Sequence, residues 1–224
     1  MISLLLGAPV WAAQEFVYEV HSDGKNIGSM AITSHDVVHD GQEARETLVS
    51  TKLRVKKLFV TLFSLDSEER NIVGDSGLIL HESHTKIDGE LISVKGVRDD
   101  DRLMITIDAD EQTQTYPVDL NEFDCTSAET PQLVFTTPGI PLSMRVMDLD
   151  RLEIVEQSLT WVRDDTLMFD EHSVPCRVFD VSDSYSQSRY WVAQDPLETL
   201  LKEEGSDEDG PYQVILVRYP EALH

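Results

Sequence analysis

Apolar and polar side chains alternate along most of the chain. Phe16, Tyr18 and Val20 share one side of a period-two pattern, which predicts a half-buried strand. His21 to Asn26 is turn chemistry, with Asp23-Gly24 offering the positive φ of a tight hairpin, and the return strand begins at Ile27. A second turn at Val38 to Gly41 precedes one long strand from about Ala44 to Phe63. A further strand runs from about Leu65 to Val73 and stops at Gly74-Asp75-Ser76-Gly77. Leu78 to Ile87 and Leu91 to Val97, joined by Asp88-Gly89, form the clearest hairpin. Arg98 to Arg102 then turns into Leu103 to Ile107, answered by Gln112 to Tyr116.

The rhythm breaks in a Pro-rich middle segment, 117–141. Thr126 to Glu129 can cap a short helix that Leu133-Val134-Phe135 would bury, so a helical or loop cover is expected near 126–136. Strands resume at Arg151 to Val162, Cys176 to Val181, Gln187 to Val192, Thr199 to Glu204 and Tyr212 to Tyr219, the last two joined by the acidic tip Ser206 to Gly210. The expectation is a mostly β protein: a curved antiparallel sheet, half-barrel or barrel-like, of about ten to twelve strands in one domain over 13–224.

Charge narrows the partners. Eighteen Lys and Arg stand against 42 Asp and Glu, a net charge of −24. DNA, RNA and anionic membranes bind proteins through Lys and Arg that displace counterions, so nucleic acid is excluded as a partner. The first charge is Glu15, and the apolar run before it is too short to span a bilayer, which takes about 20 residues. Its length fits a signal-peptide core, and Val10-Trp11-Ala12 puts small residues where a peptidase cleaves after Ala12. Residues 1–12 therefore read as the remnant of a signal peptide and the mature chain as a periplasmic protein. The competing reading is a buried N-terminal strand or helix; a positive n-region is missing. In an oxidising compartment Cys125 and Cys176 suggest a disulfide, worth about 4 kcal/mol for a loop of that length. Two buried thiols or one reactive thiol are the rivals.

Catalytic grammar is sparse. His81 and His84 lie three apart, on opposite faces of a strand, and so diverge from any common metal. His35 and His39 flank a turn, and the proximity of His172 to Cys176 carries little weight. No catalytic residue, metal or cofactor is assigned; an enzyme using Cys176 or a histidine is the last-ranked alternative. Lys52, Arg54 and Lys56 alternate on one strand face, opposite Leu53 and Val55, as the one basic cluster. They are either surface cations paired with carboxylates or an anchor for an anionic head group or acidic partner. Leu58, Val60 and Leu62 continue this strand, apolar on both faces, as a pocket wall or a strand under a second layer. Trp161 and Trp191, with Phe169 and Tyr190, could close such a pocket or fill a core.

Tyr18-x-Val20-x-x-Asp23-Gly24-Lys25-x-Ile27-Gly28 and the later Tyr190-Trp191 followed by Pro196-Leu197 resemble exported bacterial families of unknown function. The resemblance spans most of the mature chain and rests on turn and strand signals. Such families are similar in shape to the LolA and LolB lipoprotein carriers, a curved sheet with a short cover over an apolar concavity. That resemblance implies a non-enzymatic binding or accessory protein holding a hydrophobic or lipid-like ligand. An envelope protein–protein interaction module without a ligand is the alternative.

Overall fold

The computed structural model describes residues 14–57, 60–110, 112–129, 137–169, 172–195 and 197–219, and the side chains of 56, 57 and 60 are outside that description. The proposed leader, 1–12, also lies outside it. Strand formation follows the predicted alternation, but with more strands. The first eight are β1 (Gln14–Ser22), β2 (Lys25–His39), β3 (Gln42–Lys57), β4 (Val60–Gly74), β5 (Gly77–Ile87), β6 (Glu90–Asp99), β7 (Arg102–Ala109) and β8 (Gln112–Asp119). They form a meander of hairpins. Asp23, Asp40 and Asp88 adopt φ of 51°, 49° and 51°, each followed by a glycine also at positive φ, as two-residue hairpin turns require.

A 3-10 turn, Leu120–Glu122, leads into β9 (Cys125–Thr126). Asp119 caps that turn, its carboxylate accepting from the Asn121 backbone N–H. The rest of the chain supplies β10 (Leu142–Asp148), β11 (Glu153–Phe169), β12 (His172–Ser182), β13 (Gln187–Ala193), β14 (Leu200–Asp207) and β15 (Gly210–Leu216). All fifteen strands share one sheet, in the order β8 to β1 followed by β15 down to β9. Every pairing is antiparallel except β9 with β10. From β1, mid-sheet, the chain winds out to the β8 edge, crosses to the β9 edge and returns to lie beside β1, where Tyr18 pairs with Leu216.

The sheet is curved and unclosed, yet its two ends meet through side chains. Leu78, Leu103, Ile105 and Val118 from one end bury against Met147 and Leu149 from the other, with Phe123 of the crossing between them. A larger core packs Phe16, Tyr18, Leu201 and Leu216 against Val174, Cys176, Val178 and Trp191. A third joins Met144, Val146, Val155 and Leu159 to Phe179, Val181 and Val192. These contacts fix which side of the sheet is concave. The opposite side of β3 to β6 carries charge, with Arg70 bridging Glu46 at 2.6 Å and Glu82 at 3.2 Å, and Lys95 meeting Glu82 at 2.8 Å.

Two sequence expectations change. The long strand from Ala44 to Phe63 is two strands, since Lys57 of β3 pairs antiparallel with Val60 of β4. The described part of the run apolar on both faces opens β4, where Leu62 is exposed. Of the helical or loop cover expected near 126–136, Thr126 belongs to β9 and 127–129 are turn, with 130–136 outside the description. The disulfide is absent: Cys125 and Cys176 are free thiols. They sit on β9 and β12, three strand spacings of about 4.8 Å apart, whereas a disulfide needs Cα atoms within about 7 Å. Cys125 instead directs its Sγ to Met144 Sδ at 3.7 Å. Labelling with a thiol reagent is accordingly expected to find two free thiols in the unfolded, unreduced chain. Cys176, 0% exposed and its thiol pushed up to about 11 by burial, should stay unreactive until unfolding.

Candidate functional site

The concave face can be read rung by rung from the strand register. At the hairpin tips Leu53, Leu65 and Ile87 lie side by side. Next inward come Thr51, Ser67, Thr85 and Ile92, then Val49, Glu69, Ser83 and Val94. The deepest of these rungs is Thr47, Asn71, His81 and Gly96, with Ile105 beyond. Leu53, Leu65, Ile87, Thr51, Ser67, Thr85 and Ile92 are only half-buried. The face therefore passes from apolar at the tips to hydroxyl-bearing within, where Ser67 and Thr85 share a hydrogen bond of 2.8 Å and Ser34 and Thr47 one of 3.3 Å.

At the inner end the polar groups are locked. Asn71 donates from Nδ2 to Glu69 Oε1 at 2.5 Å, which orients its carbonyl oxygen toward His81. The Nδ1–H of His81 donates to that oxygen at 2.8 Å. The ring is thus the Nδ1–H tautomer, and the bare Nε2, buried and without a partner, stands off the sheet at the far end of the imidazole. Burial holds the His81 pKa below the ordinary histidine value, while the charges of Asp150 and Glu82 pull the other way. Burial also raises the carboxyl pKa values of Glu69 and Asp150, and the charge of Glu69 adds to the rise at Asp150. Asp150, in the turn after β10, thus couples this rung to the meeting of the sheet ends. His81, 1% exposed, positions its neighbours and is closed to a substrate.

A second inward polar set lies on β13 to β15. Tyr212 donates from its hydroxyl to Glu203 Oε1 at 2.7 Å and is 2.8 Å from Ser188 Oγ. Burial raises the Glu203 carboxyl pKa, against the Tyr212 hydrogen bond, which lowers it. A carboxyl whose folded pKa lies above its unfolded value costs stability as pH rises through that window, and Glu203→Gln removes the cost. The stability of Glu203→Gln relative to the parent is therefore expected to be greater at about pH 8 than at about pH 5, checked by thermal melts at both.

Of the eight residues expected to bind a ligand, Lys52, Arg54, Leu62, Trp161 and Trp191 have described side chains, and they lie on β3, β4, β11 and β13. Lys52 and Arg54 point to the outer face, where Arg54 meets Asp66 at 2.5 Å and donates to the carbonyls of Leu53 and Leu65. Leu62 is 58% exposed beside the hairpin tip. Leu58 and the side chains of Lys56 and Val60 lie outside the described residues. Trp161 stacks under the Arg177 guanidinium, 4.9 Å from the ring centre. Trp191 is buried, with Lys202 Nζ 4.8 Å over it and its Nε1–H donating to Asp165 at 3.4 Å. Sequence reasoning passed over Ser67, Glu69 and Asn71. Their signal was present as polar residues at period two within one strand, the side of β4 that turns inward. Among the described residues no three His, Cys, Asp or Glu side chains are grouped to hold a metal ion.

With the geometry in place, comparison with known proteins adds the lineage. The family model for a domain of unknown function, DUF6134, matches residues 18–198, most of the chain. The chain belongs to the DUF6134 family. No curated protein matches this DUF6134 chain. Its fold is similar to the crystal structure of a beta-barrel-like protein of domain of unknown function DUF1849 from Brucella abortus. The two share a TM-score of 0.69 at 10% identity, over 92% of this chain and 96% of that one. At that identity the likeness is one of fold alone.

Proposed function

We propose that this DUF6134 protein is a non-enzymatic binding protein that takes an amphipathic ligand on the concave face of its sheet. The observation that carries the reading is the gradient along that face: half-buried Leu53, Leu65 and Ile87 at the tips, hydroxyls of Thr51, Ser67 and Thr85 within, and carboxyls of Glu69 and Asp150 beyond. A ligand with an apolar portion and a hydrogen-bonding head matches both ends, whereas a purely hydrocarbon ligand would leave buried hydroxyls unpaired. A binding role is also supported by the state of the thiols, since burial pushes both Cys125 and Cys176 to about 11 and leaves little thiolate for catalysis. Export to the periplasm belongs to the same proposal, supported by the apolar stretch before Glu15 and the Val10-Trp11-Ala12 site. Among the described residues no helix is long and apolar enough to cross a membrane.

The experiment is a titration with a dansylated fatty acid, followed by fluorescence, on the parent and on Thr85→Trp, which fills the groove from the inner rung. Saturable binding by the parent with at least a tenfold loss in Thr85→Trp, about 1.4 kcal/mol, is the expected result. No saturable signal from the parent, or an unchanged one in the folded variant, would reject the reading.

A further inference from the structure

Four buried polar atoms without a hydrogen-bond partner come from one neighbourhood at the far end of the sheet: Arg177 Nε, Trp161 Nε1, Glu198 Oε2 and Thr199 Oγ1. Two of them, on Arg177 and Glu198, belong to the lining of a cleft of about 250 Å³ that Asp195 and Gln194 also line, over a floor that includes Phe179 and Val192. Trp161 touches the lining through its stack with Arg177, and Thr199 follows Glu198 and accepts the Ala193 N–H on its carbonyl.

The cleft is built, not incidental. Asp195 organises its loop: Oδ1 accepts from the backbone N–H of Leu197 and Thr199, and Oδ2 from the Tyr219 hydroxyl at 2.8 Å. That leaves Asp195 committed and holds Glu198 between two anchored neighbours at φ 49°, a left-handed conformation costly for a residue with a Cβ. Among the described residues Arg177 and Glu198 form no ion pair with each other; burial raises the Glu198 carboxyl pKa, and the charge of Arg177 pulls it the other way. The site thus presents one cationic donor and one carboxylate acceptor, both buried at the relevant atom and neither used.

We infer that this cleft binds a small zwitterion carrying an ammonium beside a carboxylate, its carboxylate facing the Arg177 Nε–H and its ammonium facing Glu198, with Trp161 reporting through its stack under Arg177. A simple anion would meet Glu198 and Asp195 within a chain of net charge −24. A simple cation would leave the Arg177 Nε–H buried and unpaired. Only a ligand with both charges answers both groups, and the apolar floor accepts its carbon substituent. The site lies on β12, β13 and the loop that follows β13, away from the rungs of β3 to β5, so it stands independently of the concave-face proposal.

Trp161 supplies the readout. In the ¹⁵N-labelled protein its indole N–H signal, assigned with Trp161→Phe, is followed while glycine, leucine, acetate or methylammonium is added. Glycine and leucine are expected to shift it saturably, with acetate and methylammonium at least tenfold weaker. Arg177→Gln and Glu198→Gln should each weaken leucine at least tenfold while the Trp191 indole signal stays in place, and Thr85→Trp should leave leucine binding unchanged. If Arg177→Gln does not fold, Arg177→Lys removes Nε while keeping the charge and serves the same purpose. Absence of a saturable shift with either zwitterion, an equal response to acetate, or persistence of the response in a folded Arg177 variant would overturn the inference.

Discussion

Gly28→Ala is expected to destabilise the protein by about 3 kcal/mol, lowering Tm by roughly 10 °C, because the added methyl has nowhere to go. Gly28 sits on β2 opposite Leu53 of β3 and next to the register shift between Val20 and His21. A Cβ at Gly28 would run into the Lys52 carbonyl oxygen, with Leu53 Cα also at 2.9 Å. These are backbone atoms of a paired strand, so no rotamer change relieves the clash; β2 and β3 must separate where the concave face begins. Gly205 makes a useful contrast. A Cβ there meets Tyr212 Oη at 2.5 Å and Ser188 Oγ at 2.6 Å, both side-chain atoms that can swing aside. Gly205→Ala should cost less, about 1–2 kcal/mol, and chiefly disturb the Tyr212 bond to Glu203. Thermal and urea unfolding of the two variants checks the order.

Met147→Ala should be comparably severe, at about 2–5 kcal/mol, for a different reason. Met147 is 1% exposed and packs with Leu103, Ile105 and Leu149 where the two ends of the sheet meet. Among the described strands β8 and β9 are the two edges of the sheet, and side-chain packing such as this joins the ends. Removing the thioether leaves a cavity in that contact and should loosen β9 and β10 before the central hairpins. Hydrogen exchange is expected to rise first at Val146 and Met147 and last in β2 and β3. Uniform loosening across the sheet would mean that the meeting of the ends carries no special share of the stability.

The strands were legible because alternation and Asp-Gly turns are local properties. Phe16 and Tyr18 are buried as their spacing requires, and His81 and His84 do diverge, one buried and one exposed. The division between β3 and β4 was not legible, since Leu58 to Phe63 carries no Gly, Pro, Asn or Asp to mark a turn. Nor was the chemistry of the concave face. Alternation tells which residues of β4 share a side, but Ser67, Glu69 and Asn71 face inward only because Leu78, Leu103 and Ile105 pack against Met147 and Leu149 far along the chain. Ser67, Glu69 and Asn71 resemble a solvent-facing strand edge in sequence; tertiary curvature turns that side inward. Similarly Arg177, Glu198 and Trp161 come together through the β11, β12 and β13 pairings and the Asp195 loop, none of which spacing alone reveals.

The most direct test of the open concave face is chemical access to its rungs. In a background of Cys125→Ser and Cys176→Ala, cysteines placed at Leu65 or Thr85 face inward, and one placed at Ser50 faces outward. If the hollow is open, the inward thiols of the native protein react with a small methanethiosulfonate reagent within about tenfold of the rate at Ser50, and a bound amphiphile slows them while sparing Ser50. Inward thiols that react only on global unfolding would mean the interior is packed shut and the binding account is wrong.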